Sequence, residues 1–493
     1  MLTATLNFNP IEKNTFCKGK KKMNAFVNAI ANQEARTANG MKARKSTANA
    51  CVDLFYNIGA SRGKNIIPAF TAAYVENFDM ALRIAQWARD VRGGAGEREL
   101  FRSVLVHLEK TDPDAALALL RKVPEVGRWD DIFVFTTPVL KSAAYIMLGD
   151  ALRAQNGLAA KWTPRKGKIA AEVREFFGMS PKFYRKSLVA MTKVVETQMC
   201  AGDWDNINFN HVPSVAARNY KKAFGRNTPK FAEYVAALVK GEAGVKVNAN
   251  AIFPHDVLKG LVGGYRRKTL SKTDLDHITA QWNALPNYVG DASILPLVDV
   301  SGSMSTPAGG KGDVSCMDIS ISLGLYLADK NRGVFKDTFL TFSDKPNLMT
   351  LKGDIVQKID QMESSDWGMS TNLHAAFEKI LDVAVKGNAP QEDMPAMVLI
   401  LSDMQFNQCV KHDDSAMEMI ERKFEAAGYT CPKVVFWNLN SSGNAPVASD
   451  KSGAALVSGF SPAIMASLLG ADVEQFTPEG IMRKTVMVPR YDL

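Results

Sequence analysis

The sequence predicts a multidomain chain, an all-α solenoid of helix pairs followed by a doubly wound α/β domain. Three observations lead there. Before residue 290 apolar residues recur with a period near 3.6, and no strand-like alternation appears. After it, short and nearly continuous apolar runs alternate with amphipathic helical stretches, the pattern of a parallel sheet covered on both faces. Net charge changes sign at the same place. Residues 1–290 hold 43 Lys and Arg against 25 Asp and Glu, a net of +18, and residues 291–493 hold 17 against 26, a net of −9. A chain of 493 residues is long enough for several domains with cores of their own.

Taken in order, residues 1–40 read as a basic N-terminal arm carrying Lys18 and Lys20 to Lys22, residues 41–290 as the helical domain and residues 291–493 as the α/β domain. Helices are expected at 46–58, 66–75, 80–89, 97–109, 113–123 and 137–153. Their linkers are short and rich in turn formers, such as Arg92-Gly93-Gly94-Ala95-Gly96 and Lys110-Thr111-Asp112-Pro113. Successive short antiparallel helices suggest HEAT-like pairs, although no clean sequence period is present. In the second half, strands are expected at 294–299, 336–342, 396–402, 433–439 and 453–458. Helices are expected at 316–330, 353–362, 372–386, 413–427 and 462–469, and residues 472–493 read as a strand and a tail packing back on the helical half.

The chemistry concentrates where the first apolar run ends. Leu297-Val298-Asp299-Val300-Ser301-Gly302-Ser303 puts a carboxylate and two alternating hydroxyls at the C-terminal end of a buried strand, the edge at which open α/β sheets bind ligands. Gly368-Met369-Ser370-Thr371 supplies a further hydroxyl before a helix, and the run Met397 to Ser402 ends in Asp403. Alone, Thr371 reads equally well as part of a helix cap and Asp403 as a turn residue. Together, Asp299, Ser301, Ser303, Thr371 and Asp403 form an oxygen-only set suited to a hard cation such as Mg²⁺. The D-x-S-x-S spacing, with the Thr and Asp that follow in order, resembles the metal-ion-dependent adhesion site (MIDAS) of von Willebrand factor A (vWA) domains. That resemblance implies hydroxyl ligation by Ser301, Ser303 and Thr371, with Asp299 and Asp403 binding the ion or its waters. It also implies an open position for an acidic side chain from a protein partner.

The positive surplus of the helical half points to a polyanion, RNA first; mutual attraction of the two halves is the plainer reading. Basic residues interleave with aromatics between residues 151 and 230, as suits single-stranded RNA. Candidate phosphate contacts are Lys166, Lys168, Arg185, Lys186, Arg218, Lys221, Lys222 and Arg226, with Trp162 or Tyr220 as stacking residues. Arg92 and its glycines either cradle a phosphate or turn one helix into the next. Arg128, beside Trp129, either stacks a base or clamps Asp130 or Asp131. Gly309-Gly310-Lys311-Gly312 lacks the frame of a phosphate-binding loop and reads as a flexible loop.

A basic helical-repeat domain followed by a vWA domain resembles the TROVE-domain Ro autoantigen architecture. Asp90-Val91-Arg92-Gly93-Gly94-Ala95-Gly96-Glu97, Gly127-Arg128-Trp129-Asp130-Asp131, Lys161-Trp162-Thr163-Pro164 and Asp203-Trp204-Asp205 are similar to an uncharacterised family of bacterial, phage and plant proteins of this build. The resemblance implies a ribonucleoprotein scaffold that binds small or single-stranded RNA. The competing expectation is a protein-interaction adaptor, or a particle or virion component, that recruits its partner through the metal site without RNA. No catalytic constellation emerges, His374 and His412 being the only bases near the motif in sequence, so the chain is expected not to be an enzyme and to take no small-molecule substrate. The six cysteines include no C-x-x-C pair, and no apolar run reaches membrane-spanning length. These features, with an N-terminus lacking a signal pattern, fit a cytoplasmic location.

Overall fold

The computed structural model describes residues 34–192, 194–249, 252–262, 271–308, 314–365, 370–407, 416–440, 443–469 and 475–493. The arm lysines at 18 and 20–22, the glycine-rich loop at 309–312 and His412 lie outside them.

The described residues start with a hairpin, β1 (Glu34–Arg36) and β2 (Lys42–Arg44). The helices that follow are α1 (Ala50–Ile58), α2 (Ile67–Glu76), α3 (Phe78–Arg89), α4 (Arg98–Thr111), α5 (Pro113–Val126), α6 (Pro138–Arg153), α7 (Gly157–Trp162), α8 (Gly167–Phe176), α9 (Pro181–Met191), α10 (Val195–Ala201), α11 (Ser214–Asn227), α12 (Lys230–Lys240), α13 (Pro254–Val257) and α14 (Lys272–Asn283). Local chemistry sets their ends. Asn49 and Asn77 accept hydrogen bonds from the first-turn amides of α1 and α3, and Asp112 does the same for α5, where Pro113 occupies the first turn. From α1 to α6, consecutive helices pack on one another. A second, smaller core gathers Phe209, Phe224 and Phe231.

The second half is β3 (Ile294–Val298), α15 (Cys316–Lys330), β4 (Thr338–Thr341), β5 (Leu348–Thr350), α16 (Ile355–Glu363), α17 (Leu373–Gly387), β6 (Met397–Ser402), α18 (Ala416–Ala426), β7 (Lys433–Asn438), β8 (Ala454–Ser458), α19 (Met465–Leu469) and α20 (Pro478–Val486). The sheet order is β5-β4-β3-β6-β7-β8, parallel except for β5. Every residue of β3, β4, β6 and β8 is buried, and β3, β6 and β8 read as nearly continuous apolar runs for that reason. The chain order reverses between β3 and β6, so the crevice beyond their C-terminal ends is the topological switch point. Close packing of α15 on β3 needs Gly324, where a Cβ would lie 2.5 Å from Val298.

The two halves share one apolar core. Helix α1 lies along β8, with Asn438 donating to the Tyr56 carbonyl at 3.2 Å and Ser458 to that of Phe55 at 2.8 Å. On the other side, Trp282 of α14 donates to Asp329 of α15 at 3.0 Å.

Three expectations need correction. Strands do occur before residue 290. The hairpin strands are three residues each, too short for a periodic signal, and they are held by bridges from Gly40 to Asn407 and from Arg44 to Ala445. The edge strand β5 is equally short and largely exposed. The expected C-terminal strand is helix α20, which Thr477 caps and which buries Ile481, Met482, Thr485 and Val486 on one face. The tail does pack back: Gln86 donates to the Tyr491 carbonyl at 2.9 Å, and Arg490 pairs with Asp90.

Candidate metal centre and basic surface

Val298 of β3 pairs with Leu401 of β6, so Asp299 emerges opposite Ser402 and one step from Asp403. Asp299 is fully buried. It accepts from the Ser402 hydroxyl at 2.5 Å and from the Ser301 amide at 2.9 Å. The Ser301 and Ser303 hydroxyls stand 3.1 Å apart. Thr371, just before α17, is buried and donates to the Gln405 carbonyl at 2.9 Å or to Asn407 at 3.3 Å. A hydroxyl has one hydrogen, so its lone pairs stay available. The neighbouring Ser370 hydroxyl is buried with no hydrogen-bond partner among the described residues.

Electrostatics agree with the geometry. Burial pushes the Asp299 carboxyl up to about 6 against the hydroxyl and amide bonds that favour its charged form, and the Asp403 charge raises it further. Burial also raises Asp403, offset in part by Ser303, the local backbone and Lys64. Two buried, adjacent carboxylates with converging hydroxyls fit a hard cation, which would supply the missing positive charge. No group of three or more His, Cys, Asp or Glu side chains gathers among the described residues, at this edge or elsewhere, so any ion here would rest on two carboxylates and on hydroxyls.

Sequence reasoning missed the second layer of this site. Ser402 stood in the quoted run but received no role. Asn39 donates to the Gln405 carbonyl at 2.6 Å, the same atom that takes the Thr371 hydrogen, and Thr37 donates to the Phe406 carbonyl at 2.5 Å. The hairpin thus holds the loop that orients Thr371. Lys64, before α2, donates to Asn440 at 2.8 Å and lends positive charge to Asp403. No local signal links residues more than 300 positions apart. His374 is taken up by Lys423 at 2.7 Å and Glu378 at 3.2 Å.

The basic residues divide into two groups. Arg128 pairs with Asp130 and lies 3.7 Å over the Trp162 ring, so each occupies the other. Arg218 pairs with Asp256 at 2.7 Å and Lys221 with Asp274 at 3.1 Å. Tyr220 donates to Glu196 at 3.3 Å. Arg92 is exposed near the Glu125 carbonyl, and its loop is closed on itself: the Gly94 and Gly96 amides both donate to the Asp90 carbonyl at 3.1 Å. A Cβ on Gly94 would come within 1.8 Å of the Trp87 carbonyl oxygen, so this glycine serves a tight turn. In contrast, Lys166, Lys168, Arg185, Lys186, Lys222 and Arg226 are exposed. Only Lys168 comes near a carboxylate among the described residues, Glu172 at 3.9 Å.

A helical region joined to a mixed parallel sheet, with oxygen donors gathered at the sheet's carboxyl edge, defines a two-part α and α/β protein. The chain belongs to the family described as "Domain of unknown function (DUF2828)", which matches residues 37–131 and 136–295, more than half of its length. A second family, "Domain of unknown function (DUF7788)", matches residues 293–487. "Uncharacterized protein L728" of Acanthamoeba polyphaga mimivirus is 30% identical over 511 aligned positions, covering 90% of this chain and 86% of that protein. Among solved structures, the Ro (RSR) protein of Deinococcus radiodurans is similar with a TM-score of 0.46 at 13% identity, covering 89% of this chain and 99% of that one. No described helix is long and apolar enough to cross a membrane.

Proposed function

We propose that this protein is an RNA-binding scaffold. Its helical half takes single-stranded or small structured RNA, and its sheet edge holds Mg²⁺ as a docking point for an acidic side chain of a protein partner, in the manner of a vWA adhesion site. The observation that carries the RNA reading is the exposed run of cations on α8, α9 and the loop before them, Lys166, Lys168, Lys182, Arg185 and Lys186. A solvated cation costs little in isolation, but a field of them with few counter-charges is what a phosphate backbone neutralises. Arg218 and Lys221 belong to internal ion pairs, so the main contact moves to α9.

The docking reading rests on Asp299, Ser301, Ser303, Thr371 and Asp403. When bound there, Mg²⁺ supplies charge and an open coordination position. The chain's part is to hold five oxygens still, with Ser402 and Gln405 fixing Asp299 and Thr371. The free thiols Cys51, Cys200, Cys316 and Cys431 suit a reducing, cytoplasmic setting.

Filter binding of a single-stranded RNA from low to moderate salt tests the proposal. Affinity should fall with a slope of about −0.7 per phosphate contact, and Arg185→Ala with Lys186→Ala should flatten that slope by roughly one to one and a half. Binding without salt dependence, or none at all, would leave the adaptor reading in its place.

A further inference from the structure

Between the C-terminal end of α6, the turn after α8 and helix α9 lies a cleft of about 390 Å³. Its floor is apolar, with Leu152, Phe177, Phe183 and Met191, and its polar groups come from Arg153, which pairs with Asp150, and from Gln155, Tyr184 and Ser187. The Phe177 ring lies against Gly149, where a Cβ would approach it within 2.9 Å, so glycine at this point of α6 makes room for a flat ring. Phe183 is 59% exposed, an unusual position for so large an apolar side chain.

We propose that this cleft receives one unstacked base of a single-stranded RNA, an inference that rests on the RNA reading above and locates it. Charge selects the occupant. The lining contains no carboxylate, and α9 itself carries Lys182, Arg185 and Lys186, all exposed, with no acidic residue. Phe183 and Lys186 are three apart and Lys182 and Lys186 four apart, so ring and ammonium groups share a face. A base on a sugar–phosphate chain brings a flat apolar surface to the phenyl rings and negative charge to the rim. A second copy of this face would bring the same cations together, and an apolar peptide would leave them unanswered. The volume suits a single nucleoside. Trp162 and Tyr220, engaged by Arg128 and Glu196, are replaced in this role by Phe177 and Phe183.

The test compares the full-length chain's affinity for a labelled oligoadenylate RNA with that for the same strand carrying central abasic positions. Wild type should favour the intact strand by roughly tenfold. Phe183→Ala removes the exposed ring, and Ser187→Trp fills the cleft. Each should abolish that preference while leaving the salt slope unchanged, with circular dichroism matching wild type. If both folded variants keep the preference, the base site is wrong while the RNA reading stands. If wild type binds neither strand, both fall. If wild type sediments as a dimer that Phe183→Ala dissociates, the cleft holds a second copy and the proposal is overturned.

Discussion

Asp131 in the helical half and Asp299 at the sheet edge are both fully buried, yet their surroundings differ in kind. Asp131 receives Arg89 and Arg102, each at 2.7 Å, and the Arg128 amide at 3.0 Å. Asp299 receives a hydroxyl and an amide, and its nearest charged neighbour in the site is another carboxylate. A buried charge is tolerated when paired and hydrogen-bonded, and it shifts its pKa when it is not. The Asp131 network completes its own charge balance and uses it to lock helices together. The sheet edge leaves its balance open, and the metal-docking proposal rests on that difference.

The largest expected effect separates these cases directly. Asp131→Asn strands the buried Arg89 without its carboxylate, while Arg102 keeps Asp130 and Glu99. It should destabilise the fold by about 3–5 kcal/mol, measured by urea unfolding. A loss below about 1 kcal/mol would mean that the network behaves as a surface pair and that the contrast between the halves is false.

How far each half could be read from sequence follows the same division. Strand ends were legible because β3, β6 and β8 are apolar along their whole length and stop at polar residues, so Asp299 and Asp403 fell at one edge by counting. The motifs Asp90 to Glu97 and Gly127 to Asp131 were visible, but their roles were not. Whether Arg128 faces solvent or Asp130, and whether Asp90 faces a ligand or Arg490, depends on neighbours the sequence does not bring together. The hairpin that orients Gln405 gave no signal, because its three-residue strands are stabilised by partners far along the chain. Residues 472–493 read as a strand and a tail, whereas Thr477-Pro478 at the start of α20 is a helical cue.

Acid should divide the halves again, with a somewhat smaller effect. His255 and His277 both lie in the N-terminal half, and burial pushes each down to about 4. Asp256, Arg62, Arg218 and Lys259 surround His255; Lys221 and Asp274 face His277. The folded state holds both rings neutral while the unfolded chain protonates them near 6.5, so stability is present above that value and lost as pH falls toward 4. Each histidine contributes up to about 3 kcal/mol to that loss. Unfolding curves at intermediate pH values should show His255→Phe and His277→Phe each flattening the fall. Parallel curves for wild type and both variants would place the acid sensitivity elsewhere.

The smallest of the three effects tests the open balance itself. Any ligand that binds only the folded state stabilises it by mass action, about 2.7 kcal/mol at one hundred times its dissociation constant. Mg²⁺ should therefore raise the unfolding midpoint of the wild type in denaturant, with Ca²⁺ or Na⁺ at matched ionic strength as controls. Asp299→Asn keeps the shape and the Ser402 contact but removes the charge a dication needs. It should unfold normally without metal and show no Mg²⁺ response. The matching change in the helical half, Arg102→Gln, touches Asp131, Asp130 and Glu99 and no residue of the sheet edge, so it should lower the metal-free stability and leave the Mg²⁺ increment intact. If Asp299→Asn retained the increment, the ion would be binding somewhere other than the sheet edge. If Arg102→Gln erased it, the two carboxylate environments would be coupled through the shared core, and the division between a closed and an open charge balance would not hold.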